Sequence, residues 1–230
     1  MPKSWMFALQ NYSYPVCLKD FEFSSQYSPF FADVISGNRA STMEFENRFR
    51  ENATTKLEVY YEVLFWKLYS QPKIRNRTTA RVIRHMENLK IVPNLVWDKI
   101  SLFVKSPSIY NLRQIRLLFG FTAPVIAVCL TYSAFHSPDI FPMVDNQIAK
   151  WVNANYKKHN SGTVITKLIP FPMKNTSLRE DDFPSYIKWV DWCRELANIL
   201  TKKTKFYWRA RDVEMAVFTS QRRNLALNIL

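Results

Sequence analysis

Residues 55–70, TKLEVYYEVLFWKLYS, constrain the fold more than any other stretch of this chain. Leu57, Tyr61, Leu64 and Leu68 recur at helical spacing, and Val59, Val63 and Trp66 widen the apolar face until it nearly encircles the axis. A helix with so little polar surface lies at the centre of a core, with other elements around it. Pro72 ends it. The pattern further along the chain is helical as well. The spacing predicts helices over 74–89, 93–104 with Pro93 in its first turn, and 107–119 with Ser106 as cap and Pro107 at its first position. Further helices are predicted over 122–135, 145–156, 184–203 and 208–219, with a polar helix over 43–51. In the last of the main helices Val213, Ala216 and Val217 pack while Arg209 and Arg211 do not, and Asp212 and Glu214 are expected to form ion pairs with those arginines or with neighbouring helices. No alternating stretch is long enough to build a sheet. The fold class is therefore all-α: one compact helical domain over residues 1–230, with an N-terminal wrap over 1–42 and a long loop over 157–183.

Composition narrows the class. Hydrophobic residues make up 47% of the chain, too many for a disordered one. Three glycines rule out collagen-like and Gly-rich linker designs. The uncharged stretch Phe119–Phe135 is interrupted by Thr122, Pro124, Thr131 and Ser133, so it reads as a buried helix rather than a membrane span. Cys17, Cys129 and Cys193 are far apart, and His85, His136 and His159 are scattered. Neither a disulfide framework nor a metal site is expected, and no cofactor. The N-terminus lacks a signal-peptide core, so an intracellular protein of cytoplasm or nucleoid is expected, with no membrane partner.

Thirty-two Lys+Arg stand against 19 Asp+Glu, a surplus of +13. Such a surplus points to a polyanion, above all double-stranded DNA, or serves solubility alone. It is unevenly spread. Residues 73–90 hold six cations and Glu87, and residues 201–230 hold seven cations with Asp212 and Glu214. Lys73, Arg77, Arg81 and Arg84 recur at spacings of 4, 4 and 3, which places four cations on one helical face. That face is either a phosphate ridge or a solvated exterior.

Two segments resemble the helix-hairpin-helix DNA glycosylase superfamily. Leu68-Tyr69-Ser70-Gln71 ends the apolar helix and is similar to the family's short motif, whose Gln fills the space left by an extruded nucleotide. Leu117-Leu-Phe-Gly120 through Val144-Asp145-Asn146-Gln147-Ile148 is similar to the hairpin, the second helix and the catalytic V-D. The resemblance covers roughly residues 55–155, with the glycosylase-like core over 43–156. It implies Asp145 as the catalytic carboxylate and Gln71 as the inserting side chain. Gly120 and Thr122 would bind phosphate in the hairpin, together with Lys73, Arg77, Arg81 and Arg84. A carboxylate at such a position can stabilise the cationic sugar formed as a glycosidic bond breaks, and orient water for attack.

The chain departs from the family in several ways. Thr122 stands where the family has the second hairpin glycine, and Phe119 replaces the proline. The second helix has no Schiff-base lysine, because that region reads Pro124-Val125-Ile126. The resemblance thus implies a monofunctional glycosylase without β-lyase activity by that route. The alternatives are a catalytically inactive DNA-binding protein of the same fold, or an all-α protein-interaction module without nucleic acid. From residues alone, Asp145 is also a plain N-cap for Gln147 and Ile148. Glu58 and Glu62 form a less favoured acid–base pair. Tyr60, Trp66, Trp151, Trp189, Trp192 and Trp208 offer rings for stacking on a base, most of them core. His136 belongs to a loop near the pocket mouth or simply at the surface.

Overall fold

The computed structural model describes residues 2–21, 34–174 and 177–228. Residues 22–33 of the wrap expected over 1–42 and residues 175–176 of the 157–183 loop lie outside them. The described chain is all-α. Its helices are α1 (Pro2–Gln10), α2 (Arg39–Asn52), α3 (Glu58–Leu68), α4 (Arg75–Asn88), α5 (Pro93–Lys105), α6 (Ile109–Leu118), α7 (Ala127–His136), α8 (Asn146–His159), α9 (Phe183–Thr204) and α10 (Ala210–Arg223). Strands β1 (Val16–Cys17) and β2 (Val34–Ile35) form one short antiparallel pair.

Helix α3 is central, as its sequence requires. Every residue from Val59 to Trp66 is buried. It packs against α2, α4 and α7, and α7 in turn packs against α2, α5 and α6. A second group gathers on α10, which packs against α1, α8 and α9. Helix α1 is the element missing from the sequence reading: Trp5, Ala8 and Leu9 bury a short stripe against that group. Tryptophans 151, 189 and 192 cluster there with Trp5 and His159.

Three expectations are corrected. Arg209 and Arg211 do pack. Arg211 is fully buried and Arg209 nearly so, because they enter an ion network joining α2 to α10. Arg209 bonds Glu46 at 2.6 Å and Asp212 at 2.8 Å, and Arg211 bonds Glu46 at 3.2 Å and contacts Glu214. Arg39 closes the network on Asp212 at 2.8 Å. Three cations meet three carboxylates, so the group is neutral as a whole. The cap of α6 is Ser108, not Ser106; its Oγ accepts the Asn111 amide at 3.2 Å. The second hairpin helix begins at Ala127, not 122, because residues 124–126 pair with the long loop instead. Val125 bridges Arg179, the Ile126 amide donates to the Leu178 carbonyl, and the Glu180 amide donates to the Pro124 carbonyl.

That loop is ordered by side chains reaching from its neighbours. Asn153 brackets the backbone of Phe171 through donor and acceptor, and Asn160 does the same for Leu168. Asp182 accepts the amides of Met173 and Arg179. No helix among the described residues is long and apolar enough to cross a membrane.

Candidate functional site

Asp145 sits in extended backbone just ahead of α8. Its Oδ1 accepts the amides of Gln147 and Ile148, each at 2.9 Å, so the carboxylate is an N-cap. It also lines a cleft. Two adjoining cavities of about 240 and 450 Å³ share Lys67, Ser70, Gln71, Asp145 and Gln147 as lining. The cap uses Oδ1; Oδ2 takes no part in it.

The smaller cavity is an aromatic chamber. Tyr12, Tyr14, Trp66 and Phe218 form its walls, and Glu214 and Arg222 supply charge from α10. Tyr14 meets Trp66 edge to face with ring centroids 5.1 Å apart, and meets Phe218 at 6.0 Å. Burial raises the pKa of both Tyr12 and Tyr14, so their hydroxyls stay protonated across the neutral range. Arg222 lies over the Phe218 ring at 5.4 Å, which fixes a cation at this mouth.

The larger cavity runs from Gln71 along Ile74, just ahead of α4, and Thr78 and Arg81 of α4 to Phe121, Thr122 and Ala123 between α6 and α7. The first residues of α7 and α8 also line it, so two helix N-termini face the same space. Such ends carry partial positive charge, although at α8 the Gln147 and Ile148 amides are taken by Asp145. Arg81 lies over Phe121 at 5.8 Å and sets a cation at this edge.

Lys67 was missed in the sequence and belongs to the lining of both cavities. It is partly exposed and stands one turn before Gln71. Its Nζ donates to the Val144 carbonyl at 3.3 Å, beside Asp145. Burial pulls its pKa down from the ordinary lysine value, Asp145 pulls it back up, and Arg211 lowers it further. The sequence did carry a signal, since Lys67 is a cation late in a helix otherwise apolar nearly all round.

Asp145, Gln71, Arg81 and Thr122 thus converge on one cleft. Gly120, Lys73, Arg77 and Arg84 line neither cavity. The three cations are exposed, and Arg77 and Arg84 flank Arg81 along α4. Gly120 serves a different purpose from phosphate binding. Its φ is +65°, its amide donates to the Leu117 carbonyl, and the Phe121 amide donates to the Arg116 carbonyl. This Schellman closure uses both amides on α6 itself. The absent Cβ also admits His85, whose Cγ would lie 2.7 Å from it.

Other expectations separate in the same way. Of the proposed stacking rings only Trp66 reaches the cleft; Tyr60, Trp151, Trp189, Trp192 and Trp208 are core. Glu58 is exposed and Glu62 buried, and neither lines the cleft. His136 is the last residue of α7, not a loop residue. It stacks on Trp97 at 4.2 Å and bonds Ser101 and Ser137. Burial, helped by Arg50, lowers its pKa to about 4. Compared with family models, with curated proteins and with solved structures, the chain finds no match in any of the three.

Proposed function

We propose that this protein binds double-stranded DNA and hydrolyses the N-glycosidic bond of an extruded, damaged or mismatched base. The observation that carries the reading is the position of Asp145 in the lining shared by two cavities, with Arg222 lining one and Arg81 the other. The chemistry requires the base out of the stack, because its sugar is unreachable within a duplex. An aromatic chamber beside the carboxylate suits a planar heterocycle, with Tyr12, Tyr14, Trp66 and Phe218 as stacking surfaces and Glu214 and Gln147 as polar partners. The larger cavity, with Arg81 and two helix N-termini, suits the flanking phosphates.

In this scheme Asp145 stabilises the oxocarbenium-like sugar and orients the attacking water. Gln71 occupies the vacated place in the stack. Lys73, Arg77 and Arg84 extend the phosphate contacts along α4. Gly120 holds the turn rather than a phosphate.

One observation favours a second reading, a catalytically silent DNA binder. Asp145 already has a structural task as the cap of α8. Two experiments decide. A duplex titration from about 50 mM salt upward reads the phosphate term; affinity falling steeply with salt supports DNA binding, and no binding at the lowest salt overturns it. Base release from duplexes with assorted lesions is then compared for wild type and Asp145→Asn. Asn keeps the cap but not the charge, so equal release by both proteins removes Asp145 from the mechanism.

A further inference from the structure

Arg222 and Arg223 end α10, far along the chain from the cations of α4. Beside the aromatic chamber lies a third cavity of about 380 Å³, between the segment that follows α1 and the last turn of α10. Asn11 and Ser13 line it from that segment, and Phe218, Arg222 and Arg223 line it from α10. Phe218 and Arg222 also line the chamber, so the two cavities adjoin.

Both arginines are exposed, and among the described residues neither enters an ion pair. The acids of α10 are committed elsewhere, Asp212 to Arg39 and Arg209, and Glu214 to Arg211. Each guanidinium is nonetheless held in place. Arg222 lies over the Phe218 ring at 5.4 Å, and Arg223 Nη1 donates to Asn11 Oδ1 at 3.0 Å. Asn11 is itself fixed, because its Nδ2 donates to the Phe7 carbonyl at 2.9 Å. The Ser13 hydroxyl has no partner among the described residues. Two neighbouring guanidinium forks, positioned but not neutralised, match the oxygens of a phosphate. The C-terminal end of α10 opposes an anion with roughly half an elementary charge, which two full guanidinium charges outweigh.

We propose that this cavity is a phosphate subsite, and that with the chamber it holds one nucleotide unit: the planar ring among Tyr14, Trp66 and Phe218, the phosphate between Arg222 and Arg223. This deepens the DNA reading and rests on it for the planar ring alone, requiring neither base release nor a duplex. It gives the basic end of the chain, outside the glycosylase-like core, a place at the same cleft. The phosphate belongs either to a free nucleotide or to a strand. Arg223 separates the two parts of the site, since it lines this cavity and not the chamber. Asn11 is a positioning residue that acts through Arg223.

The test is calorimetric titration of the full chain with the common 2′-deoxynucleosides, with their 5′- and 3′-monophosphates, and with a single strand about eight nucleotides long. For a free nucleotide, the expected result is a monophosphate bound about tenfold more tightly than its nucleoside. Arg223→Gln removes that gap and leaves nucleoside affinity unchanged, and Asn11→Ala narrows it in the same selective way. For a strand phosphate, the single strand binds, and the variant carrying both Arg222→Gln and Arg223→Gln shows a salt slope shallower by about 1.4. A gap that survives in a folded Arg223→Gln overturns the proposal. Nucleoside and monophosphate bound alike, together with an unchanged strand slope, also overturn it. If none of these probes binds while the duplex does, the subsite falls and the DNA reading stands. A monophosphate gap that depends on Arg223, without duplex binding, supports the subsite and sinks the DNA reading.

Discussion

Glu46 is the residue whose loss should unseat the fold most directly. It is fully buried on α2, and its two oxygens go to different arginines, Arg209 at 2.6 Å and Arg211 at 3.2 Å. The network holds Arg39, Arg209 and Arg211 against Glu46, Asp212 and Glu214, so its formal charge is zero. Glu46→Gln keeps the volume and leaves one uncompensated positive charge out of water. It also turns an amide NH₂ towards a guanidinium, donor against donor.

Removing one partner of a buried pair costs about 3–5 kcal/mol. At 2–4 °C per kcal/mol for a chain of this size, that is a fall in Tm of about 6–20 °C. The assay is urea unfolding followed by tryptophan fluorescence and far-ultraviolet circular dichroism, read as a lower midpoint at constant slope. Adding Arg211→Met restores the charge balance and should recover part of the loss. A cost below about 1 kcal/mol for Glu46→Gln refutes the reasoning, since it means the two arginines are satisfied without the carboxylate. So does a double variant no more stable than Glu46→Gln alone.

Gly120→Ala should cost about 1–2 kcal/mol from the left-handed backbone alone, and more because the new Cβ meets His85. The same substitution beside His85→Ala should cost less, and equal costs in both backgrounds would remove the close approach from the explanation. Asp145→Ala should lose about 1 kcal/mol of stability through the cap while Asp145→Asn loses little, both read from urea midpoints. His136 and His159 are each held neutral, with pKa values lowered to about 4 by burial. The unfolded chain binds those protons from about 6.5 downward, so stability is full above that pH and declines as pH falls towards 4. Urea midpoints between pH 7.5 and 4 check this, and a curve unchanged by His159→Gln would show that His159 takes no part in the decline.

Helix α3 was legible because no arrangement except a central one hides Tyr61, Val63, Leu64 and Trp66 together. Helix α1 was not, although Trp5, Ala8 and Leu9 have helical spacing. Phe7 stands exposed and Met6 partly so, and these two blur a stripe only nine residues long. The start of α7 was misplaced for a tertiary reason: Val125 and Ile126 bond a segment more than fifty residues away, which no local pattern encodes. Asp145 and Gln71 stood out because their motif places them at helix ends. Tyr12, Tyr14, Glu214 and Arg222 reach the same cleft from both ends of the chain, and only folding brings them there.

The charge surplus shows the same limit from another side. Read along the chain, residues 201–230 hold seven cations against Asp212 and Glu214, which are expected to pair with Arg209 and Arg211 or with neighbouring helices. In the fold, Arg209 and Arg211 are held by Glu46, Asp212 and Glu214, while Arg113 and Arg116 both grip Glu180 at 2.6 Å. Glu180 follows the Arg179 bridge to the hairpin turn, so those two cations brace the turn instead of offering themselves to a phosphate. Arg81 and Arg222 line the two cavities, each beside an aromatic ring. A cation count along a sequence overstates the field that a partner meets, because ion pairing with distant carboxylates is decided by the fold. At this cleft the lining arginines come from two helices, Arg81 from α4 and Arg222 from α10, and Asp145 lines both cavities.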